Sequence, residues 1–118
     1  MTTRTTVVEQ YFDGFRRSDH DLILACLTDD VVWDLPGYRS LAGKEAFDGE
    51  IENPEFVGSP QLVVDRMIEG DDAIVVIGSG EGRRRNGDRH RFAYCDVFTF
   101  AGDLVSRVES YVVPLPLG

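Results

Sequence analysis

Between His90 and Phe100 the even positions carry His90, Phe92, Tyr94, Asp96, Phe98 and Phe100, and the odd ones Arg91, Ala93, Cys95, Val97 and Thr99. In a strand each set occupies its own face. The even face is then a row of aromatic rings broken by one carboxyl group, and a carboxyl in apolar surroundings must be paired, hydrogen-bonded or kept protonated. Two readings of Asp96 follow. As an acid with a raised pKa it donates a hydrogen bond or a proton to a ligand; as a structural group it pairs with a nearby Arg or Tyr. His90 shares that face and would shuttle protons at neutral pH if it lines a pocket, or is otherwise a solvent-exposed strand residue.

The next hairpin bears on that choice. A two-residue loop at Ala101-Gly102 sets Asp96 opposite Arg107, an ion pair; one at Gly102-Asp103 sets it opposite Glu109, a like charge that raises the pKa of one of the two. A three-residue loop reverses the parity and turns Arg107, Glu109 and Tyr111 outward. On the other side, an Asn86-Gly87 loop places Ile77, Ser79, Glu81 and Arg83 opposite Asp96, Tyr94, Phe92 and His90. That face is apolar at its middle and polar toward the hairpin, like a pocket with a wet mouth.

Other candidates are weaker. Arg83, Arg84, Arg85, Arg89, His90 and Arg91 gather basic charge on one hairpin, where they attract a ligand carboxylate or phosphate or simply form a solvated tip. Gly78-Ser79-Gly80-Glu81-Gly82 is glycine-rich but ends a strand, whereas a phosphate-binding loop opens a helix. Two His and two scattered Cys offer no metal-ligand spacing, so neither a metal nor a cofactor is expected. Cys26 and Cys95 sit in apolar segments and read as reduced core residues.

These side chains need elements to hold them. Val8, Tyr11, Phe12 and Phe15 recur at helical spacing behind the Thr6-x-x-Glu9 capping pattern, which predicts a helix over Thr6–Arg17. Ser18 and Asp19 break it and cap a second helix, in which Leu22, Ile23, Ala25, Cys26 and Leu27 repeat until Thr28. Val31-Val32-Trp33 favours a strand that Pro36-Gly37 ends, with Trp33 and Leu35 in phase. Lys44–Glu52 reads as a third helix closed by Asn53-Pro54. Four strands follow as a meander, Gln61–Glu69, Ala73–Gly82, His90–Phe100 and Leu104–Val113, with a Pro114–Gly118 tail. Helices ahead of a long antiparallel meander predict an α+β layer.

Composition bounds the rest. The chain has 118 residues, 42% of them hydrophobic, and a net charge of −9 from 12 basic and 21 acidic residues. One domain over 1–118 is expected. The negative charge argues against nucleic acid and anionic membrane surfaces as partners. Met1–Thr6 is polar and the longest aliphatic run is Ala73–Ile77, so neither a signal peptide nor a membrane span is expected, and the reading is cytoplasmic.

Val7-Val8-Glu9-Gln10-Tyr11, Asp19 and Asp21, Leu27-Thr28-Asp29-Asp30-Val31, Pro36-Gly37, Leu41-Ala42-Gly43-Lys44-Glu45-Ala46, and Asp96-Val97-Phe98-Thr99-Phe100 ahead of Gly102-Asp103-Leu104 stand in an order that resembles one family. It is the nuclear transport factor 2-like superfamily, in its SnoaL-like and ketosteroid isomerase-like branch, and the similarity covers nearly the whole chain. The resemblance implies a cone-shaped, curved, mostly antiparallel sheet covered by about three N-terminal helices. It also implies a homodimer formed through the sheet, where the odd face (Ala93, Cys95, Val97) is suitably apolar.

In ketosteroid isomerases a helix tyrosine and a protonated strand aspartic acid form an oxyanion hole, and Tyr11 and Asp96 match those positions. The family's aspartate base corresponds here to Leu35, with Asp34 one residue off and facing away. SnoaL-like cyclases use a strand Asp as acid/base, a role open to Asp96 with His90 or Glu109 as helper. Limonene epoxide hydrolases use an Arg and an Asp two residues apart, where this chain has Tyr94 and Asp96. Tyr11, Asp96 and His90 are thus the candidate catalytic residues. Phe15, Trp33, Leu35, Phe92, Tyr94, Phe98, Arg107, Glu109 and Tyr111 are the candidate ligand-binding ones. An isomerase or cyclase acting on a small hydrophobic carbonyl compound, a non-catalytic binder of a hydrophobic metabolite, and a structural homodimer are the three functions this implies.

Overall fold

The computed structural model describes residues 3–52 and 56–116, apart from the side chain of Ser59. The elements run α1 (Thr3–Arg17), α2 (His20–Leu24), β1 (Leu27–Leu35), β2 (Arg39–Ala42), α3 (Lys44–Glu50), β3 (Phe56–Glu69), β4 (Ala73–Arg84), β5 (Arg89–Ala101) and β6 (Leu104–Leu115). The six strands form one sheet in the order β2-β1-β6-β5-β4-β3. Only β1 and β6 run parallel among these pairs. The sheet curls into a half-barrel against the three helices, the expected α+β cone.

The helical hairpin at the start is built from small local devices. Val8, Tyr11 and Phe12 form the buried stripe of α1. Gly14 sits on the same side, where a Cβ would lie 2.6 Å from Ile23 Cγ1, so its bare backbone lets α2 pack close. Ser18 adopts the left-handed conformation (φ 49°). The Asp19 amide then donates back to the Gly14 carbonyl (2.8 Å) and the Ser18 amide to that of Phe15 (3.3 Å), which closes the end of α1. Asp19 accepts from the Leu22 amide at 3.1 Å and so caps α2.

Several boundaries differ from expectation. Helix α1 starts at Thr3, so Thr6 and Glu9 lie within it and do not cap it. Helix α2 ends at Leu24, because Leu27 already belongs to β1, where it is buried opposite Val105 of β6. Strand β2 was absent from the sequence reading; it follows the turn at Gly37 (φ 87°) and pairs with β1. Helix α3 stops at Glu50, and the expected Asn53-Pro54 closure lies outside the described residues. The expected tail is strand as far as Leu115, with Pro114 opposite Phe92.

The two hairpin registers also differ. Between β4 and β5 the Arg84 amide bonds the Asp88 carbonyl, so the loop is Arg85-Asn86-Gly87, with Gly87 at φ 95°. This is one residue longer than an Asn-Gly turn, and it moves Val76 opposite Asp96, Gly78 opposite Tyr94, Gly80 opposite Phe92 and Gly82 opposite His90. Between β5 and β6 the loop is Gly102-Asp103, since Ala101 pairs Leu104. A bulge between Thr99 and Phe100 then shifts every later pair, so that Asp96 faces Ser110.

A polar clasp joins α2 to the end of α3. His20 Nδ1 lies 2.5 Å from Asp48 Oδ1 and its Nε2 2.6 Å from Glu52 Oε1. The doubly protonated ring can donate to both carboxylates, and the bonds to Glu52 and then Asp48 raise its pKa. A pKa raised in the folded state adds stability that is whole below the unfolded value near 6.5 and fades as pH climbs through the folded one. His20→Ala is therefore expected to lower Tm at pH 6 more than at pH 9. Equal losses at both pH values would show the clasp to be packing alone.

Candidate functional site

The inner face of the sheet and one side of α1 enclose a cavity of about 180 Å³. Helix α1 supplies Tyr11, Phe12 and Phe15; β1 Trp33 and Leu35; β3 Pro60 and Leu62; β5 Phe92, Tyr94 and Asp96; β6 Ser110 and Val112. Each strand contributes alternate residues, as pleating demands. Of the candidates named from sequence, Tyr11, Asp96, Phe15, Trp33, Leu35, Phe92 and Tyr94 come together here.

The others do not. Phe98 is fully buried beside the cavity, packed on Tyr11 (4.9 Å between centroids) and Phe12 (5.7 Å), and is a core residue. Arg107, Glu109 and Tyr111 point to the outer face, because the bulge in the β5–β6 ladder reverses their parity. There Arg107 pairs with Asp34 (2.9 Å) and with Glu109 (3.6 Å), and the Tyr111 hydroxyl donates to Glu109 (3.1 Å). His90 shares the inner face but sits six residues from Asp96, about 20 Å along the strand. Its ring stacks between Phe92 (5.7 Å) and Phe56 (5.5 Å), and burial, with the Arg84 charge behind it, lowers its pKa. It is not among the residues lining the cavity that holds Asp96.

Asp96 is 9% exposed and faces neither Arg nor Glu. Burial pushes its carboxyl up to about 7, and the Ser110 hydroxyl, bonded to it, pulls the other way. Ser110 in turn accepts from Trp33 Nε1 at 3.0 Å. A relay of three side chains from β1, β6 and β5 thus orients the acid. Sequence reasoning missed Ser110, since its facing depends on a bulge that no residue type announces. Phe12, Pro60, Leu62 and Val112 also line the cavity and were not among the residues named from sequence, although Phe12 lay in the apolar stripe of the first helix.

Two tyrosines differ in role. Tyr11, 2% exposed, is ringed by Phe12, Phe15, Phe47 and Phe98. Burial, then the nearby Asp96 and Cys26, hold its hydroxyl well above 10, so it remains a donor. Tyr94 donates to the Val63 carbonyl at 2.8 Å, and burial takes its hydroxyl to about 12. Its polar end is spent anchoring β3 across Gly78, and only its ring serves the cavity.

A broader groove of about 720 Å³ runs between α1 and β3, lined mainly by polar chains such as Glu9, Gln10, Asp13 and Arg16. It holds none of the candidate catalytic residues. The candidate catalytic residues Tyr11 and Asp96 line the smaller, less polar cavity.

Three helices against a strongly curled half-barrel sheet make this the cone of the nuclear transport factor 2-like class of fold. The profile of the SnoaL-like domain matches residues 8–108, and the chain belongs to that family. Its fold carries isomerases, cyclases and epoxide hydrolases. Among solved structures, an NTF2-like protein of Burkholderia pseudomallei superposes with a TM-score of 0.89 at 24% identity, over 96% of this chain and 92% of the other. TerC co-crystallised with polyporic acid gives 0.86 at 22% identity, over 95% and 92%. An LEH-like epoxide hydrolase of Mycobacterium tuberculosis gives 0.82 at 17%, over 94% and 83%. No curated protein sequence matches the chain closely. Among the described residues no helix is long and apolar enough to cross a membrane.

The acid's placement has a thermodynamic signature. A carboxyl raised from 3.8 to about 7 by burial folds best when neutral. Stability is therefore whole below the unfolded value and falls as pH rises to the folded one, by about 4 kcal/mol at most. Asp96→Asn, which cannot ionise, is expected to gain Tm over the parent progressively from pH 4 and to level off above about pH 7. A gain that does not grow with pH would mean that Asp96 is charged and well paired.

Proposed function

We propose that the chain takes a small, largely apolar carbonyl compound into this cavity and promotes its enolisation, as an isomerase or cyclase does. The observation that carries the reading is a carboxyl group poised near neutrality on the wall of an otherwise apolar chamber, with a second donor, Tyr11, on the same chamber. A neutral acid and a phenol both donate to a carbonyl oxygen, and both bonds strengthen as the oxygen gains charge in the enolate. The low-polarity walls deny that oxygen competing water.

One observation favours a second reading, binding without turnover. Among the described residues lining the cavity, none besides Asp96 is a carboxylate, histidine or lysine, so turnover requires a solvent water at the cavity mouth to take the α-proton while Asp96 or Tyr11 gives its proton to the carbonyl oxygen. Leu35 occupies the wall where a base would stand, and Asp34 is turned outward to Arg107. Proton–deuteron exchange at the α-carbon of acetophenone, followed by NMR, separates the two. The enzyme reading expects catalysed exchange that declines above about pH 7 and drops on the order of 100-fold in Asp96→Asn. Exchange that rises through that pH would instead make Asp96 the base, and binding with no exchange leaves the binder.

For assembly we infer a homodimer through the outer face of the sheet. Val63, Ile68, Tyr111 and Val113 are 44–59% exposed there, rather than scattered singly. Val113→Arg places a charge amid that patch and is expected to halve the mass seen by native mass spectrometry. A parent protein already at the 13.2 kDa of one chain would exclude the dimer.

A further inference from the structure

Phe92 has a cavity on either side. A second chamber of about 170 Å³ lies beyond it, and Phe15, Pro60 and Phe92 belong to the walls of both. Ile51, Phe56 and Gly82 help to close the outer one. A chain of rings passes along the wall from one chamber to the next: Phe12 to Tyr94 at 5.7 Å, Tyr94 to Phe92 at 6.4 Å, Phe92 to His90 at 5.7 Å and His90 to Phe56 at 5.5 Å. Such spacings are those of rings in mutual contact, and a flat aromatic guest can pack on them in the same way.

Size sets the guest. A dry cavity of about 150 Å³ takes one benzene ring. Each chamber has room for one ring, and Phe15, Pro60 and Phe92 stand between them. The outer chamber stays open because position 82 has no side chain: it lies opposite His90 on the inner face, and a Cβ there would be 3.3 Å from Phe56 Cδ1. The Glu52 carboxylate on its wall is engaged by His20. The chamber therefore suits a neutral ring.

We propose that the outer chamber is a second ligand subsite, and that the substrate is an elongated aryl carbonyl compound of two linked rings. The carbonyl-bearing ring sits against Asp96, and the distal aryl ring lies between Phe15, Phe56 and Phe92. This rests on the reading of the inner chamber as the carbonyl site.

Calorimetric titration of acetophenone and of 4-acetylbiphenyl tests it. The parent protein is expected to bind the two-ring ketone about 10-fold or more tighter than the one-ring ketone, the return on burying a second ring after its ordering cost. Gly82→Val fills the outer chamber and is expected to abolish that advantage while leaving acetophenone affinity unchanged. Phe56→Ala removes one wall and should weaken only the two-ring ketone, which guards against a folding defect at position 82. Acetophenone binding with no gain from the second ring, or a gain that survives both substitutions, overturns the subsite alone. If the parent binds neither ketone, the carbonyl site fails and the subsite with it.

Discussion

A carboxyl group on the inner face of a curled sheet has few ways to exist. Left ionised and alone it costs several kcal/mol; paired with a cation it turns the cavity into a salt bridge; neutral and hydrogen-bonded it remains available to a ligand. Below about pH 7 Asp96 takes the third course. Among the described residues its direct donor is Ser110, a hydroxyl that is itself fixed by the Trp33 indole. Because Ser110 accepts from Trp33, its own proton is free to point at the carboxyl. That arrangement draws on β1, β6 and β5 at once, and it requires β1 to lie beside β6, which the parallel pairing provides.

What keeps the cavity free of a pairing cation is a single bulge. Without the shift between Thr99 and Phe100, the Gly102-Asp103 hairpin would carry Glu109 to Asp96 and put alternate charged side chains inside. With it, the charged residues of β6 face out, where Arg107 bridges Asp34 and Glu109 in contact with water. These outer pairs add little stability, since they are partly solvated. Their consequence is negative: they hold Arg107 away from the acid.

Much of this was legible in the sequence. Alternation along His90–Phe100 located the acid and its aromatic neighbours, and the spacing of Val8, Tyr11, Phe12 and Phe15 placed the covering helix. In both cases the signal was periodicity over many residues. What was not legible turned on one-residue events. The extra residue in the Arg85-Asn86-Gly87 loop and the bulge in β6 each invert a face, and neither leaves a mark in residue type. Ser110 was invisible for that reason, and the outward turn of Arg107, Glu109 and Tyr111, foreseen only for a three-residue loop, comes instead from the bulge. Strand β2, four residues of Arg39-Ser40-Leu41-Ala42, is too short to show alternation and exists because β1 offers it an edge.

The glycine-rich stretch of β4 shows why the site is a cavity rather than a packed core. Gly78, Gly80 and Gly82 lie directly opposite Tyr94, Phe92 and His90. A Cβ at Gly78 would lie 2.6 Å from Tyr94 Oη, and one at Gly80 would meet the Phe92 ring and, at 3.1 Å, Leu62 Cδ2. Each glycine weakens the strand by about 0.5–1 kcal/mol relative to alanine, since it loses more backbone freedom on folding. In exchange the large rings of β5 lie across β4 instead of standing up into the cone, and Tyr94 reaches the β3 backbone. Rings laid flat form a wall; rings standing upright would fill the space. Asp96 lies opposite Val76, just past the glycine run, so the acid stands on the floor of the volume that those missing side chains create.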